Sequence, residues 1–296
     1  ETRRTTIGQL IDYAKMLELD GINLDFEYVE EADGENFSQF VRELSIACRR
    51  NKLILSVDVV APFDFNAYLN RREIAAVSDY LINMGYDEHY PGIDHAGTVA
   101  SLSFEENAIQ KLLEMGIPSQ KIITGVPFYT RIWYTSTDAD GQTYVSSDEL
   151  GMNAVANTIS SWRVTPTWDP ETNQNYAGWT TDDGVLCEIW IEDAESLQRK
   201  CLLVPKYDLG GVAIWALGFQ DSSIWPTISD SISMTKGDAA ALEQTLANAK
   251  GTAAETEMDT NEDADSDAAA DSTAVTDSGT ASDANAEAGK DAAKDS

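Results

Sequence analysis

Five short apolar runs, each joined to the next through a segment of helical spacing, constrain this chain more than any other feature of its sequence. The runs cover residues 21–28, 53–60, 80–86, 121–128 and 211–217, and helical patterns fall at 37–50, 71–77, 105–115 and 194–207. A further helix is expected ahead of the first run, where Ile7, Leu10, Ile11, Ala14, Leu17 and Leu19 share one helical face. Strands that alternate with helices build parallel βαβ units, because a parallel neighbour is reached only through a crossover long enough to hold a helix. Most of the runs are apolar on both faces, as expected of strands covered on both sides. The fold class is therefore α/β. A closed (β/α)8 barrel needs eight strands in about 250 residues. Five are visible, which leaves either an open α/β sheet or the C-terminal part of a barrel whose first three units lie outside the chain.

Between the fourth and last runs, residues 135–192 hold Trp162, Trp168, Trp179 and Trp190 among Thr, Asn and Gly. A small β-rich insertion is expected there, on the loop side where such folds build their sites. From residue 236 onward there is no Trp, Tyr, Phe or Ile, and acids outnumber lysines 15 to 4. Such a segment cannot bury enough apolar surface to offset its ordering entropy. The expected organisation is one folded unit over 1–235 and a disordered acidic tail over 236–296, with some helical character at 238–249.

The formal net charge is −31, and most of that excess falls outside the tail. Phosphate binding needs basic clusters, so nucleic acid is not an expected partner. Cys48, Cys187 and Cys201 are too few and too irregular for a disulfide framework or a zinc site, and are expected as small buried residues. His89 and His95 suggest loop residues, so no metal site is expected. No stretch reaches the roughly 18 consecutive apolar residues of a membrane span. Oligomeric state is not legible.

The chemistry concentrates in Asp20-Gly21-Ile22-Asn23-Leu24-Asp25-Phe26-Glu27. Alternate side chains on a strand share a face, so Asn23, Asp25 and Glu27 point one way and Ile22, Leu24 and Phe26 the other. A solvated strand face is the plain alternative. Asp is a poor strand former, however, and the neighbouring runs place this strand in a covered parallel layer. Two carboxylates crowded on one strand then make sense as an acid and its modulator.

This octapeptide resembles the D-G-x-D-x-D-x-E hallmark that ends the fourth barrel strand of glycoside hydrolase family 18, the chitinases and related N-acetylglucosaminidases. Three further segments resemble the family in the same order. Met84-Gly85-Tyr86-Asp87 is similar to its M-x-Y-D, Gly125-Val126-Pro127-Phe128-Tyr129-Thr130-Arg131 to its G-x-P-F-Y-G-R, and Gly210-Gly211-Val212-Ala213-Ile214-Trp215 to its eighth strand. The resemblance implies a TIM barrel represented by strands four to eight, with the insertion before the last strand. It departs at Asn23, where chitinases have an Asp. In that respect, and in Met84 to His89, it looks like the bacterial subgroup linked to spore cortex and peptidoglycan.

The resemblance also implies roles. Glu27 is the expected proton donor, kept protonated near neutral pH by burial and the neighbouring Asp25 charge. Asp25 orients the substrate acetamide, whose own oxygen is the nucleophile, and Tyr86 donates to that oxygen. Asn23, Asp20, Met84, Asp87, Tyr129, Arg131 and Trp215 are the expected substrate contacts, although Tyr86, Tyr129, Arg131 and Trp215 also fit purely structural roles. No cofactor is implied. The expected substrate is an oligosaccharide or polysaccharide containing β-1,4-linked N-acetylglucosamine, chitin or peptidoglycan, and the expected site of action is outside the cell membrane. The alternatives are a carbohydrate-binding protein on the same scaffold, which the retained Glu27 and Asp25 argue against, and a fragment inactive for want of three strands. On the last view the isolated chain aggregates, while the gene product extended upstream is active.

Overall fold

The computed structural model describes residues 2–262, with side chains to residue 250. Five parallel strands, β1 (Gly21–Leu24), β2 (Ile54–Val60), β3 (Tyr80–Met84), β4 (Ile122–Pro127) and β10 (Gly211–Trp215), form one sheet in the order β1-β2-β3-β4-β10. They are the five expected runs, and the sheet with its helices is the half of a (β/α)8 barrel that the motif order implied. Strand ends fall short of the expectation. β1 stops at Leu24, and residues 25–30 continue without a ladder.

The helices follow from amphipathic spacing. α1 (Thr2–Met16) buries Ile7, Ile11 and Ala14, and α2 (Gly34–Arg50) buries Phe37, Phe40, Val41, Leu44 and Cys48. α3 (Arg71–Val77) starts at Asn70, whose side chain accepts from the Glu73 amide, and α4 (Leu102–Glu114) starts at Ser101, which accepts from the Phe104 amide. Their apolar faces meet Leu55, Val57, Val59, Leu81 and Ile122 from the back of the sheet in one core. The single helical pattern expected at 194–207 is two helices, α6 (Ala194–Cys201) and α7 (Leu203–Tyr207). Pro205 lacks an amide proton and crowds the preceding turn, which disfavours an unbroken helix. α8 (Ile224–Ile232) packs its Ile224 and Ile228 with Val126, Phe128 and Leu197 in a second core. Cys48, Cys187 and Cys201 are all buried free thiols.

The insertion is an antiparallel sheet, in the order β6-β5-β9-β8-β7. Its strands are β5 (Tyr129–Thr137), β6 (Thr143–Gly151), β7 (Thr167–Asp169), β8 (Gln174–Thr180) and β9 (Leu186–Ile191), with α5 (Met152–Trp162) between β6 and β7. It begins at Tyr129 rather than near 135, because β5 leaves β4 after one residue, Phe128. Trp162 packs on Trp179 with ring centroids 5.5 Å apart, at the edge of the insertion's own core of Ile132, Val155, Ile159, Ala177, Ile189 and Ile191.

The tail boundary at 235 is corrected. α9 spans Lys236–Glu262, and over its first turns it belongs to the folded unit. Ala239 is buried, Lys206 meets Glu243 at 3.4 Å, and Lys250 meets Glu195 at 3.0 Å. Lys250 and Arg199 both stack on Trp168, at 4.3 and 4.6 Å from its ring centre. Cation–ring and ion-pair contacts thus anchor a helix that composition alone would leave free. The rest of the expected tail, residues 263–296, lies outside the described residues. Among the described residues no helix is long and apolar enough to cross a membrane.

Candidate active site

The C-terminal ends of parallel strands carry the side chains that face the barrel mouth, and the loops that follow complete the site. Gly21 starts β1 where a Cβ would lie 2.5 Å from the Ile54 carbonyl oxygen, so only glycine lets β1 approach β2 this closely. The close pairing sets Asn23 opposite Ser56 and Leu24 opposite Val57. Leu24 points into the core, while Asn23 and Asp25 face the open side.

The segment carrying Glu27 is held by its neighbours. Phe26 stacks on Phe37 and Phe40 of α2, with centroids 5.8 and 5.6 Å away, and Tyr68 donates to the Val29 carbonyl at 2.7 Å. Glu27 itself is exposed rather than buried, because β1 is the edge strand of the described sheet. The β2–α3 loop is pinned by Arg71, a buried guanidinium that donates to the Val60 and Asn66 carbonyls and to Asn66 Oδ1. An apolar cleft of about 200 Å³ among Phe26, Val60, Phe65 and Tyr68 opens beside Glu27 and Asp58.

Tyr86 follows β3 and leans edge-on against Tyr129 at 6.4 Å. Gly125 makes room for it: a Cβ there would lie 2.7 Å from the Asn83 oxygen and 3.3 Å from the Tyr86 ring. Burial raises the Tyr86 phenol above its ordinary pKa, and the charges of Asp58, Asp25, Asp87 and Glu27 raise it further. Its hydroxyl therefore stays a proton donor amid four carboxylates. Tyr129 donates to Asp87 at 2.6 Å, which together with burial raises its own pKa, and Arg131 stands 3.9 Å from Asp87 and 3.7 Å from Glu149. Met84 ends β3, and Trp215, half-exposed, ends β10 beside Pro127; the Trp215–Ala216 peptide is cis. Thr130, where the family pattern has Gly, is buried and donates to the Trp190 carbonyl.

The structure thus brings Asn23, Asp25, Glu27, Met84, Tyr86, Asp87, Tyr129, Arg131 and Trp215 to one end of the sheet. It does not bring Asp20 there. Asp20 precedes β1, five residues and roughly 16 Å of extended chain before Asp25, and its carbonyl accepts from the Ile54 amide. One residue of the cluster was not singled out in the sequence. Asn23 donates to Ser56 Oγ at 3.0 Å and to Asp58 Oδ1 at 2.8 Å, and burial, with the charges of Asp25 and Glu27, pushes the Asp58 carboxyl up to about 6.

The profile described as glycosyl hydrolases family 18 matches residues 1–221. A glycosylase of Bacillus subtilis whose activity is uncharacterized is 27% identical over 227 residues, 74% of this chain and 63% of its own length. The cortical fragment-lytic enzyme of Bacillus subtilis is 26% identical, over 79% of this chain and 54% of its own. The chain thus spans between half and two thirds of the length of these relatives. Among solved structures, a chitinase from Chromobacterium violaceum superposes with a TM-score of 0.69 at 29% identity, covering 77% of this chain and 71% of that one.

Proposed function

Because the chain belongs to glycosyl hydrolase family 18, we propose that it cleaves β-1,4 bonds in polymers of N-acetylglucosamine by substrate-assisted retaining hydrolysis, with Glu27 as proton donor. The observation that carries this reading is the convergence of Asp25, Glu27 and Tyr86 at the C-terminal ends of β1 and β3, the two strands that flank β2, with Tyr86 held as a neutral donor. Glu27 protonates the leaving oxygen while the substrate's acetamide oxygen attacks the anomeric carbon, so one protein acid suffices where most glycosidases need two carboxylates. Asp25 accepts from the acetamide N–H and stabilises the positive oxazolinium that forms; Tyr86 donates to the acetamide oxygen and aligns it. Glu27, now ionised, takes a proton from the water that opens the ring. On this reading Asp87 and Arg131 hold sugar hydroxyls, and Trp215 forms the apolar floor under the cleaved sugar.

Two observations favour peptidoglycan over chitin: Asn23 in place of the chitinase Asp, and the likeness to a cortical fragment-lytic enzyme. Such polymers lie outside the membrane, and the protein acts there. Release of reducing N-acetylglucosamine ends from peptidoglycan and from chitin by the full-length gene product tests both points. Glu27→Gln should lower the rate by about 100-fold or more, and equal rates would refute the assignment. Faster release from chitin would reverse the substrate preference.

A further inference from the structure

We propose that Asp58 is the carboxyl partner of Asp25, a positioning residue moored by the Asn23 amide, which sets how Asp25 faces the substrate acetamide. This rests on the reading of Asp25 and Glu27 above.

The placement follows from register. β1 pairs with β2 through Asn23↔Ser56 and, at its last rung, Leu24↔Val57; Asp25 follows directly and lies close enough to Asp58 for its charge to disfavour ionisation there. Asn23 uses both protons of its amide, one on Ser56 Oγ and one on Asp58 Oδ1. An Asp at position 23 has no proton to give a carboxylate at 58 unless one of the two is protonated. Asn23 and Asp58 are therefore a matched pair: the first strand supplies the amide and the second the acid. In the chitinase pattern that this chain resembles, an Asp occupies the place of Asn23.

The groups that face Asp58 are Asp25 and Glu27 from the segment after β1, Tyr86 from the end of β3, and the neutral Asn23 and Ser56. Burial and the two carboxylates disfavour its charge, and the Asn23 bond opposes them only in part. At low pH Asp58 holds a proton and can donate it to Asp25, keeping Asp25 turned toward β2. As pH rises the proton leaves to solvent, and the ionised Asp58 repels Asp25 toward Glu27 and the acetamide. No bond to substrate is made by Asp58 in either state.

The test measures kcat and KM against pH for the full-length gene product with 4-methylumbelliferyl chitotrioside. Asp58→Asn should melt no lower than the native protein and lose about 10- to 100-fold in kcat with little change in KM. Asp58→Asn has no proton to lose, so the acid limb that Asp58 sets near pH 6 should flatten. The exchanged pair, Asn23→Asp with Asp58→Asn, returns an acid and an amide to the cluster on opposite strands and should recover at least part of the lost kcat. Asp58→Glu should recover part as well. A profile for Asp58→Asn that superimposes on the native one after scaling, or an exchanged pair no better than Asp58→Asn alone, would overturn the proposal. Native activity in Glu27→Gln sinks the catalytic reading itself; an inactive Glu27→Gln beside unaltered Asp58 variants sinks only this inference.

Discussion

Glu105 on α4 is fully buried, with Thr124 donating to one of its oxygens, and its burial pushes the carboxyl up to about 7 despite the nearby Lys200 charge. A carboxyl whose pKa rises on folding binds more protons in the native state, so its contribution is favourable at acid pH. That contribution falls as pH climbs from its unfolded value near 4.5 through 7. Glu105→Gln keeps an acceptor for Thr124 and removes the ionisation. It should melt a few degrees above the native protein at pH 8 and at the same temperature at pH 4.5, which calorimetry at the two pH values will show. Asp58 obeys the same sign, and its cost in stability is consistent with a residue kept for what it does. It was legible in principle: in Ile54–Val60, Ser56 and Asp58 alternate with Leu55, Val57 and Val59. The segment looked like a buried run because the polar residues are outnumbered. The alternation that exposed Asn23, Asp25 and Glu27 applies equally to β2. Asp20 erred the other way, since a motif fixes spacing along the chain but not which end of a strand faces the substrate.

Among the elements, the segment after β1 shows how a site can rest on packing rather than on ladder hydrogen bonds. Residues 25–30 pair with no strand, and what fixes Glu27 is Phe26 against two rings of α2 and Tyr68 on the Val29 carbonyl. Phe26 is half-exposed. Phe26→Ala should therefore change stability little while lowering kcat/KM by about 10-fold or more through a misplaced acid. A loss in melting temperature as large as a core truncation, with activity per folded molecule unchanged, would contradict it. Periodicity located every strand of the barrel half and its helices as far as residue 207, but not α8. It overran strand ends, because apolar residues continue past the last rung, and it missed the join in 194–207, where Pro205 decides. α9 was misplaced for a different reason. Its Ala-rich sequence has few large apolar residues, and its hold depends on Lys250 and Arg199 flanking Trp168, a contact between residues far apart in the chain.

For the whole molecule, charge and connectivity matter most. A net charge of −31 is a source of self-repulsion that salt screens within about 10 Å at 0.1 M. Raising sodium chloride from roughly 0.02 to 0.5 M should raise the melting temperature by several degrees; a fall would show that specific ion pairs such as Arg3–Glu43 outweigh the bulk charge. The order of four motifs was enough to place the chain in one half of a barrel, since they fall in turn at β1, β3, β4 and β10 of one sheet. The insertion's starting point was not legible, because Tyr129 serves both the site and the first insertion strand. The one-residue passage from β4 to β5 is fixed on both sides: Phe128 is buried, its amide donates to the Trp215 carbonyl, and its carbonyl accepts from the Met152 amide. β5 then runs nine residues, roughly 25 Å or more, to an exposed turn at 138–142 that Asp138 closes on itself. The insertion is therefore a stiff arm with a disposable tip. A fluorescent label or a foreign peptide spliced between Asp140 and Gly141 would ride on the protein without disturbing the strands beneath it, which makes this turn the natural handle for following it on the polymers proposed above.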